Sequence, residues 1–597
     1  MESKIKKRAL TYGIAAILCV TVLGAISYNI GYFPQTRNLT PNSVTTSGMF
    51  ATFSSGDALK SFLMTSADTW TPFQFYGPSD LRSLNQDITA SNAKAASEGF
   101  TFEYSSTNVQ VAGIDESDFV KTDGEYIYLL SGNVVSILKA YPPESTEIVS
   151  RINFGESNPI GIFVNGDRLV VLGSKYAVPT ARSYYGYYDV DIKTFTYVYD
   201  IQDRGHPVLL HDLMLSGSYF NSRMMEDYVY FVVSQPAYIV YDTVVLPKIY
   251  SGDWAIKEIV PTEIHYTNHT DTYQQFTTFV AMNIKNMTEA PTYLTIMLGS
   301  TSNMYVSTNN MYVTYRDYNG DTTIYRVRIK ANNMTCEASG QVNGHELNQF
   351  SMDEHGDYFR IATQTWYGSA PSSNVFILDM NLTIVGQLRD IEVGETLDSA
   401  RFIENRCYLS TSVVRRDPFF VIDIENVTAP NILGYLKIPG FTRYLHPYDS
   451  NHLIGVGRDG ANNVRLSLFD VSDVSAPKNI SEYSFEADWS NTPVLDEHKA
   501  FLFDYSKDLL AFPVSLNYYG YNSSSIQPLM VFNITLEGGL VLKGSIIQRG
   551  TQTNGWDYSH YVQRSLYIEN VLYTISQAEV QLNSLDDLTF LKEIEIG

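Results

Sequence analysis

Cysteine is scarce in this sequence, which has 597 residues and only three cysteines. Three thiols cannot build a disulfide framework or a four-ligand zinc site. Cys336 and Cys407 fall on different predicted strands of different repeat units, so we expect two buried free thiols there.

Basic charge is also sparse, with 41 Lys and Arg against 64 Asp and Glu and a net charge of −23. This balance excludes a nucleic-acid partner and general adhesion to anionic membrane surfaces. Hydrophobic residues nevertheless make up 44 % of the chain, which excludes a disordered protein. The many aromatic residues, mainly 44 Tyr and 30 Phe, favour strands over helices.

Charge is absent between Arg8 and Arg37, and residues 9–33 are apolar and long enough to cross a bilayer as one helix. The basic residues before this run predict that residues 1–8 stay in the cytoplasm and that the rest lies outside, as in a single-pass cell-membrane protein. The alternative is a signal peptide, cleaved so that residues 1–27 are lost and the protein is secreted. Both interpretations export the chain.

Export makes Asn-x-Ser/Thr sites candidates for glycosylation. The candidates are Asn38, Asn268, Asn286, Asn333, Asn381, Asn426, Asn479, Asn522 and Asn533.

Residues 34–99 form a polar stalk and a lead-in, in which apolar spacing predicts a short helix over residues 56–65. From residue 100 to residue 597 the pattern is one of short strands separated by tight turns, and it recurs. A spacing of about 46 residues, as between Asn405 and Asn451, is interrupted by insertions. The turns between the first two strands of the nine predicted units are placed at Gly124, Gly166, Asp227, Asn310, Gly356, Asn405, Asn451, His498 and Asn570.

A second signature marks the hairpin between the third and fourth strands. Asp200, Asp423 and Asp470 each precede a proline by seven residues, and Asn283 begins a version that is one residue longer. Asp or Asn at such positions bonds the backbone and forms a turn. Four-stranded units of 40–50 residues are typical of a β-propeller, in which stacked neighbours bury both faces of each sheet. We predict an all-β fold with a single large propeller of eight or nine four-stranded blades over residues 100–597.

The residues entering the first unit carry a family resemblance. They are Tyr104-Ser-Ser-Thr-Asn-Val-Gln-Val111, Gly113-Ile-Asp-Glu-Ser-Asp118 and Val120-Lys-Thr-Asp-Gly124. This opening resembles that of secreted archaeal and bacterial proteins with a C-terminal β-propeller distantly related to WD40 domains. The resemblance implies a propeller and export, and it implies no activity and no functional residues.

Sequence motifs for catalysis are lacking. No Gly-x-Ser-x-Gly nucleophile elbow occurs, and His265 and His269 have no glutamate between them. The run from Asp317 to Asp321 is interpreted as a hairpin turn, since the alternating ligands of a calcium loop are missing. The acidic residues Asp115, Glu116, Asp118 and Asp123 suggest either a calcium site or a solvated turn, of which we favour the turn. We predict no catalytic residue, metal ligand or cofactor.

The insertions point to recognition, because most are rich in tyrosine and join the second strand of a unit to the third. Alternating strand direction puts all such connections on one face of the ring, which we call the loop face. Tyr with Gly and Ser is typical of binding loops. Besides the stretch 235–275, the candidate binding residues are Tyr184, Tyr185, Tyr187, Tyr188, Trp366, Tyr367, Tyr518, Tyr519 and Tyr521.

Three functions remain open. The first is a surface-anchored module that binds an envelope protein or glycan through the loop face. The second is an extracellular hydrolase or lyase that acts on polysaccharide with acidic residues near the central channel. The third is a structural component of the envelope. The sequence favours binding over catalysis, and it leaves the ligand and the oligomeric state open.

Overall fold

The computed structural model describes residues 50–66, 102–177, 191–267, 274–317, 319–367, 370–413, 416–519, 524–548 and 558–596. The apolar run 9–33 and most of the stalk lie outside these ranges. No helix within the described ranges is long and apolar enough to cross a membrane. The candidates Tyr184, Tyr185, Tyr187, Tyr188, Tyr521, His269, Asn38, Asn268 and Asn522 also lie outside the described residues.

The all-β prediction is confirmed by nine consecutive units of four antiparallel strands in the part of the chain that the structure describes. Units 1 to 3 are Val120–Thr122, Tyr126–Ser131, Val134–Lys139, Glu147–Asn153; Asn158–Asn165, Arg168–Ala177, Asp191–Asp200, Val208–Ser216; and Ser218–Met225, Tyr228–Pro236, Gln275–Asn283, Thr292–Leu298. Units 4 to 6 are Thr301–Val306, Asn310–Arg316, Thr322–Lys330, Asn333–Val342; Met352–His355, Tyr358–Tyr367, Ala370–Asp379, Ile384–Ile391; and Thr396–Ile403, Arg406–Ser412, Arg416–Asp423, Asn431–Pro439. Units 7 to 9 are Phe441–Pro447, His452–Arg458, Val464–Asp470, Lys478–Ser484; Leu502–Asp504, Leu509–Pro513, Leu529–Thr535, Gly539–Ile546; and Arg564–Ile568, Val571–Ile575, Glu579–Ser584, Phe590–Glu595.

In unit 7 the middle strands His452–Arg458 and Val464–Asp470 are buried, whereas alternate residues of the fourth strand, Lys478–Ser484, are exposed, so the fourth strand is the outer edge. The fourth strands of units 2 and 3 are covered by further strands. Neighbouring units share hydrophobic clusters. Unit 1 packs Tyr128 against Leu169 of unit 2, and the same kind of contact continues around to units 8 and 9. The last unit then packs on the first, since Ile568 and Tyr573 share a cluster with Ile127. The units therefore form a closed ring, which explains how sheets that are apolar on both faces are buried.

The hairpins between third and fourth strands form the predicted turns. Oδ1 of Asp423 accepts a hydrogen bond from the backbone N–H of Glu425 at 3.1 Å, and Oδ1 of Asp470 accepts one from Ser472 at 2.9 Å. Asp423 also pairs with Arg406 at the start of the second strand, at 2.6 Å. These aspartates are thus structural residues of the repeat.

One predicted turn is wrong. Unit 8 makes its first turn at Tyr505–Lys507, followed by Asp508 in a left-handed conformation with φ 50°, and not at His498. His498 instead begins a short 3-10 turn, His498–Ala500, and is fully buried near the centre of the ring. The error arises because His498 lies before a strand in a region where an insertion shifts the repeat.

The inserted stretch between the second and third strands of unit 3 is also not a simple loop. Its strands Lys248–Ser251 and Trp254–Glu258 extend unit 2 beyond its fourth strand. Its strand Ile264–Tyr266 pairs in parallel with the fourth strand of unit 3. We call residues 237–267 the edge insert, because they add strands to the outer edges of units 2 and 3.

The segment before the propeller docks on this insert. Strand Ala51–Thr52 pairs with Ile264–Tyr266, and the helix Gly56–Ser66 follows, which confirms the predicted helix. Ser55 caps the helix by accepting the N–H of Ala58 on its hydroxyl, at 3.1 Å. The helix buries Leu59, Phe62 and Leu63, and the ring of Phe53 stacks on Tyr266 with centroids 4.2 Å apart.

The remaining short elements are the strands Asp115–Glu116, Ile239–Val240, Thr243–Val244, Trp489–Asn491, Ser515–Tyr518 and Ser524–Ile526, and the 3-10 turns Pro143–Ser145, Pro261–Glu263, Gln349–Ser351, Pro493–Leu495 and Tyr558–His560.

Candidate functional site

The centre of the ring is crossed by residues 104–118, which we call the channel segment. Ser105 donates its N–H to the carbonyl of Tyr567 in unit 9 at 3.0 Å, and Asp118 bridges to Ile162 in unit 2. Glu116 pairs with Arg223 in unit 3. These contacts are all with first strands, in units 9, 2 and 3, so this part of the segment runs along the inner side of the ring.

The middle of the channel segment contacts the remaining sides of the ring. Nε2 of Gln110 donates to the carbonyl oxygens of Gln349 at 3.1 Å and Met352 at 3.2 Å, beside unit 5. Nδ2 of Asn108 donates to the carbonyl of His498 at 3.1 Å, and Nε2 of His498 lies 2.9 Å from the carbonyl of Asn108. The chain therefore fills its own channel with hydrogen-bonded backbone and side chains.

The segment enters from the face opposite the loop face. Tyr104 bridges to Ile568, the last residue before a first turn, and its ring covers Gly124 in the first turn of unit 1. Gly124 has φ 92°, and a Cβ there would lie 2.6 Å from the Tyr104 ring. Glycine is thus required for two reasons, backbone conformation and close approach.

Buried ion pairs fasten the channel segment. Asp118 and Arg564 are 5 % and 7 % exposed and form a two-pronged pair, with Nε to Oδ2 at 3.0 Å and Nη2 to Oδ1 at 3.1 Å. Lys121 donates to Asp115 Oδ1 and to the Glu116 carbonyl, both at 2.6 Å. Two-pronged arginine–carboxylate pairs combine strength with fixed geometry.

Glu116 lies in the same network and is 2 % exposed. Its Oε1 accepts a hydrogen bond from Nε2 of Gln349 at 3.3 Å and lies 3.8 Å from Arg223 Nη2. The pKa values of the two buried carboxyl groups of the segment are shifted in opposite directions. Burial raises the pKa of Glu116 and outweighs the attraction of Arg223. Burial opposes ionisation of Asp118 too, but Arg564 and Lys499 more than compensate, so its pKa lies below the ordinary value.

The four acidic residues considered for calcium therefore have separate partners. Asp115 pairs with Lys121, Glu116 with Arg223 and Asp118 with Arg564, while Asp123 accepts a hydrogen bond from Tyr128 at 2.8 Å. The favoured interpretation of a solvated turn is wrong for Glu116 and Asp118, which are buried. Within the described ranges no group of three or more His, Cys, Asp or Glu residues is arranged to hold a metal ion.

The other candidates for chemistry are structural. The Asp317–Asp321 run forms a hairpin turn, in which Oδ1 of Asp317 accepts the N–H of Asn319 at 2.9 Å. His265 is partly buried, which lowers its pKa. His446 is buried and hydrogen-bonded to the Tyr444 hydroxyl at 2.9 Å, whereas His206 is exposed and pairs with Asp203 at 3.0 Å. Cys336 and Cys407 are free, Cys407 being buried and Cys336 partly so.

The described aromatic candidates on the loop face are exposed. Trp366 is the residue before the last in the second strand of unit 5 and is 51 % exposed. Tyr518 and Tyr519 follow the second strand of unit 8 and are 38 % and 66 % exposed. Tyr367 belongs to a described strand, but its side chain lies outside the described part. Since units 5 and 8 are three positions apart in the ring, these aromatics form two separate groups on the face.

Carboxyl groups also occur beside the channel in unit 6. Burial raises the pKa of Asp398 to about 6, against the opposing effects of Ser412 and Arg443. The nearby Glu395 accepts a hydrogen bond from the Thr411 hydroxyl at 2.6 Å.

Two glycosylation candidates have a structural role. Oδ1 of Asn426 accepts hydrogen bonds from the N–H and hydroxyl of Thr428, at 3.2 and 2.9 Å, and Asn286 does the same with Thr288. Asp473 makes the equivalent contacts with Ser475. The turn itself therefore selects an Asn-x-Thr pattern at these positions. The candidates on the described surface are Asn286, Asn333, Asn381, Asn426 and Asn533, with Asn479 half-buried.

Sequence comparison agrees with this geometry. The profile of the family described as beta propeller domain matches residues 104–588, so the match begins with the channel segment. The chain belongs to this family. It is 26 % identical over 588 residues to an uncharacterised protein of Methanocaldococcus jannaschii, with 86 % of each chain covered. It is 25 % identical over 570 residues to an uncharacterised protein of Archaeoglobus fulgidus, covering 80 % of this chain and 82 % of that one.

Solved structures give weaker similarities. Dihydro-heme d1 dehydrogenase in complex with its ligand is 11 % identical, with a TM-score of 0.35 and coverage of 82 % of this chain and 83 % of that one. The WD40 domain of Toxoplasma gondii coronin is 11 % identical, with a TM-score of 0.22 and coverage of 41 % and 70 %. Neither similarity carries information about activity.

Sequence reasoning missed Arg223, Gln349, His498 and Arg564, the side chains that hold the channel segment. Each lies far from the segment in the sequence, Arg223 and Arg564 in strands of units 3 and 9, and Gln349 and His498 in 3-10 turns between units. A strongly polar residue within an otherwise apolar strand pattern, such as Arg564, was the available signal.

Proposed function

We propose that this chain is an exported β-propeller with nine blades, held to the cell membrane by residues 9–33 or secreted after loss of residues 1–27, and that it binds a protein or glycan of the cell envelope. The observation that carries the proposal is the closed channel. Because the channel segment occupies the centre, a macromolecular ligand has to be met on a face of the ring.

The loop face suits this role. Trp366 and Tyr519 hold large aromatic surfaces in solvent, and the Tyr519 N–H bonds the carboxylate of Asp488 at 2.6 Å, which fixes the backbone next to the ring. Exposed Trp and Tyr on firmly held strand ends provide contact area at small entropic cost. The tyrosines at 184, 185, 187, 188 and 521 remain predicted members of this surface.

Catalysis on polysaccharide is supported less well. That chemistry requires two carboxyl groups facing one sugar bond. The channel carboxylates Glu116 and Asp118 are buried with arginine partners. Asp398, with its pKa of about 6, is the best placed remaining acid, but Glu395 beside it is engaged with Thr411. A purely structural envelope role would use the same face against a neighbouring copy.

The test is a pull-down from an envelope extract with the immobilised full chain in detergent. The variant Trp366→Ala with Tyr519→Ala removes aromatics from the loop face. The control is Tyr505→Ala, which removes a similarly exposed ring, at 54 %, from a first turn on the opposite face.

A species retained by the parent and the control but lost by the double variant is the expected result. Equal retention by all three chains contradicts a role for this face. Retention of none, with release of soluble fragments from envelope polysaccharide, would support the enzyme instead. Retention only of further copies of the same chain would support the structural role.

A further inference from the structure

The edge insert exposes aromatic and aliphatic side chains at the tips of two hairpins. Tyr241 lies at the tip joining Ile239–Val240 to Thr243–Val244 and is 98 % exposed. Trp254 follows the tip after Lys248–Ser251 and is 82 % exposed, with Ile256 beyond it at 63 %. Three large, strongly exposed apolar side chains on one short insert make it a candidate for contact with an external apolar partner.

The backbone conformation of the first hairpin suggests that Tyr241 at its tip serves a function and not the stability of the fold. Tyr241 and Asp242 have φ values of 45° and 69°, a left-handed pair that normally requires Asn and Gly. A bulky aromatic residue at such a position costs free energy. Among the described residues none compensates this cost by burying the Tyr241 ring, which is 98 % exposed.

The edge insert is electrically neutralised, unlike the chain as a whole. Residues 237–267 contain four acidic residues, and each has a lysine partner. The pairs are Asp242 with Lys60 at 2.5 Å, Asp253 with Lys175 at 2.8 Å, Glu258 with Lys248 at 3.3 Å and Glu263 with Lys257 at 2.8 Å. In a chain with a net charge of −23, such local pairing removes the repulsion that would keep this edge from an anionic or apolar surface.

The segment that docks on the edge insert indicates which partner its exposed side chains contact. The strand Ala51–Thr52 and the helix Gly56–Ser66 are packed on it, and Lys60 of the helix makes the ion pair with the Tyr241 hairpin. Residues 34–49 lie between the apolar run 9–33 and this docked segment, and sixteen residues reach at most about 55 Å when extended. A tether of this length holds the edge insert at high local concentration beside the bilayer.

We infer that the edge insert is a second, peripheral contact with the membrane, in which Tyr241, Trp254 and Ile256 enter the lipid headgroup region. Trp and Tyr are the side chains that favour this interface, because one end of each is apolar and the other polar. The contact tilts the ring so that the outer edges of units 2 and 3 face the lipid. This inference rests on the proposed anchoring through residues 9–33.

The experiment uses the full chain reconstituted into phosphatidylcholine vesicles whose acyl chains are brominated near the headgroup. Bromine quenches only tryptophans that reach the lipid. The chain has five tryptophans, of which Trp254 and Trp366 are exposed in the described residues. Trp254→Phe keeps the apolar ring and removes the reporter, and Trp366→Phe is the matched control on the loop face.

We expect the parent and Trp366→Phe to be quenched relative to vesicles without bromine, and Trp254→Phe to lose most of that quenching. In a chain that keeps Trp254, Tyr241→Ser with Ile256→Ser should reduce the quenching by weakening the contact. Both changes are on the surface, so the fold is retained, which circular dichroism verifies.

Flotation of the vesicles separates the two ideas. Chains that float without quenching of Trp254 overturn the membrane contact and leave the anchor intact. Chains that do not float overturn the anchor and the contact together. Loss of quenching in Trp366→Phe and not in Trp254→Phe would place the loop face on the lipid and overturn the inference. A dimer in light scattering that Trp254→Phe or the serine variant dissociates would make a second copy the partner of the Trp254–Glu258 edge, and would also overturn it.

Discussion

The hairpins at the outside of the ring and the segment at its centre use the same residue types for different purposes. Asp423 in a hairpin is about a quarter exposed and pairs with an equally accessible Arg406. Asp118 in the channel is almost fully buried and pairs with an equally buried Arg564. Residues that recur from unit to unit, such as Asp423, build the turns of the repeat. The buried pair of Asp118 and Arg564, in contrast, joins the channel segment to the last unit and so holds the ring together.

The largest expected effect tests the central pair. Arg564→Met removes the two-pronged partner of the buried Asp118 and should lower the free energy of unfolding by about 3–5 kcal/mol, since breaking a buried ion pair is costly. The corresponding hairpin change, Arg406→Met, should cost no more than about 1 kcal/mol because its pair is partly solvated. Guanidinium denaturation of both variants gives the comparison. Equal shifts would show that the channel pair has no special role.

The free energy of unfolding should fall in acid because of the buried histidine His446. Burial, aided by Arg401, lowers the pKa of His446 to about 3, whereas an unfolded histidine titrates near 6.5. Below about pH 6.5 the unfolded chain binds a proton that the folded chain does not, so stability falls as pH falls. His446 should contribute a loss of about 1.4 kcal/mol per pH unit between about pH 6 and 4.

The control for this effect is His446→Gln, which keeps a polar group beside the Tyr444 hydroxyl and does not titrate. Denaturation midpoints measured at several pH values should fall less steeply for the variant. Parallel curves for the parent and the variant would refute the assignment.

A smaller effect is expected in the hairpins. Asp423→Ala removes the hydrogen bond to the N–H of Glu425 and the pair with Arg406, and should cost about 1 kcal/mol. Asp423→Asn keeps an acceptor for the turn and should cost less. The thermal unfolding midpoints of the two variants rank them. An order in which Asn is the worse substitution would show that the charge, and not the turn, matters.

The smallest effect is expected from Asn426→Asp. Asp473 shows that aspartate makes the same turn, so stability should change by no more than about 0.5 kcal/mol. The substitution also removes a glycosylation candidate. If the chain carries a glycan there, the mass of the variant in the native host falls by the mass of that glycan, whereas the side-chain exchange alone leaves the mass almost unchanged. An unchanged glycan pattern together with lost stability would contradict both parts.

The repeat could be predicted because its signals are local. The turn residues and the Asp-to-Pro distance lie within one unit, and eight of the nine predicted first turns fall at the start of a second strand or just before it. The helix Gly56–Ser66 was equally predictable from the spacing of its apolar residues. Prediction from local patterns failed where insertions interrupt the repeat. His498 was assigned to a first turn that the structure places at Tyr505–Lys507. The stretch around Trp254 was expected to be a loop on one face, but its strands extend the edge of a sheet.

The centre could not be predicted because its contacts are not local. Asp118 and Arg564 lie 446 residues apart in the chain. The motif Gly113 to Asp118 carried the family resemblance. Its acidic residues were interpreted as a solvated turn, because nothing in their sequence spacing indicates that Glu116 contacts Arg223 and Gln349. Only ring closure brings the first and last units together and places these charges in one network.

The most direct test of the closed channel is amide hydrogen exchange of the channel segment in the native chain. The N–H groups of Ser105, Gln110 and Asp118 have carbonyl or carboxylate acceptors inside the ring. We expect these groups to exchange as slowly as those of the middle strand Tyr126–Ser131. Exchange of residues 105–118 within seconds, while that strand stays protected, would show that the channel is open.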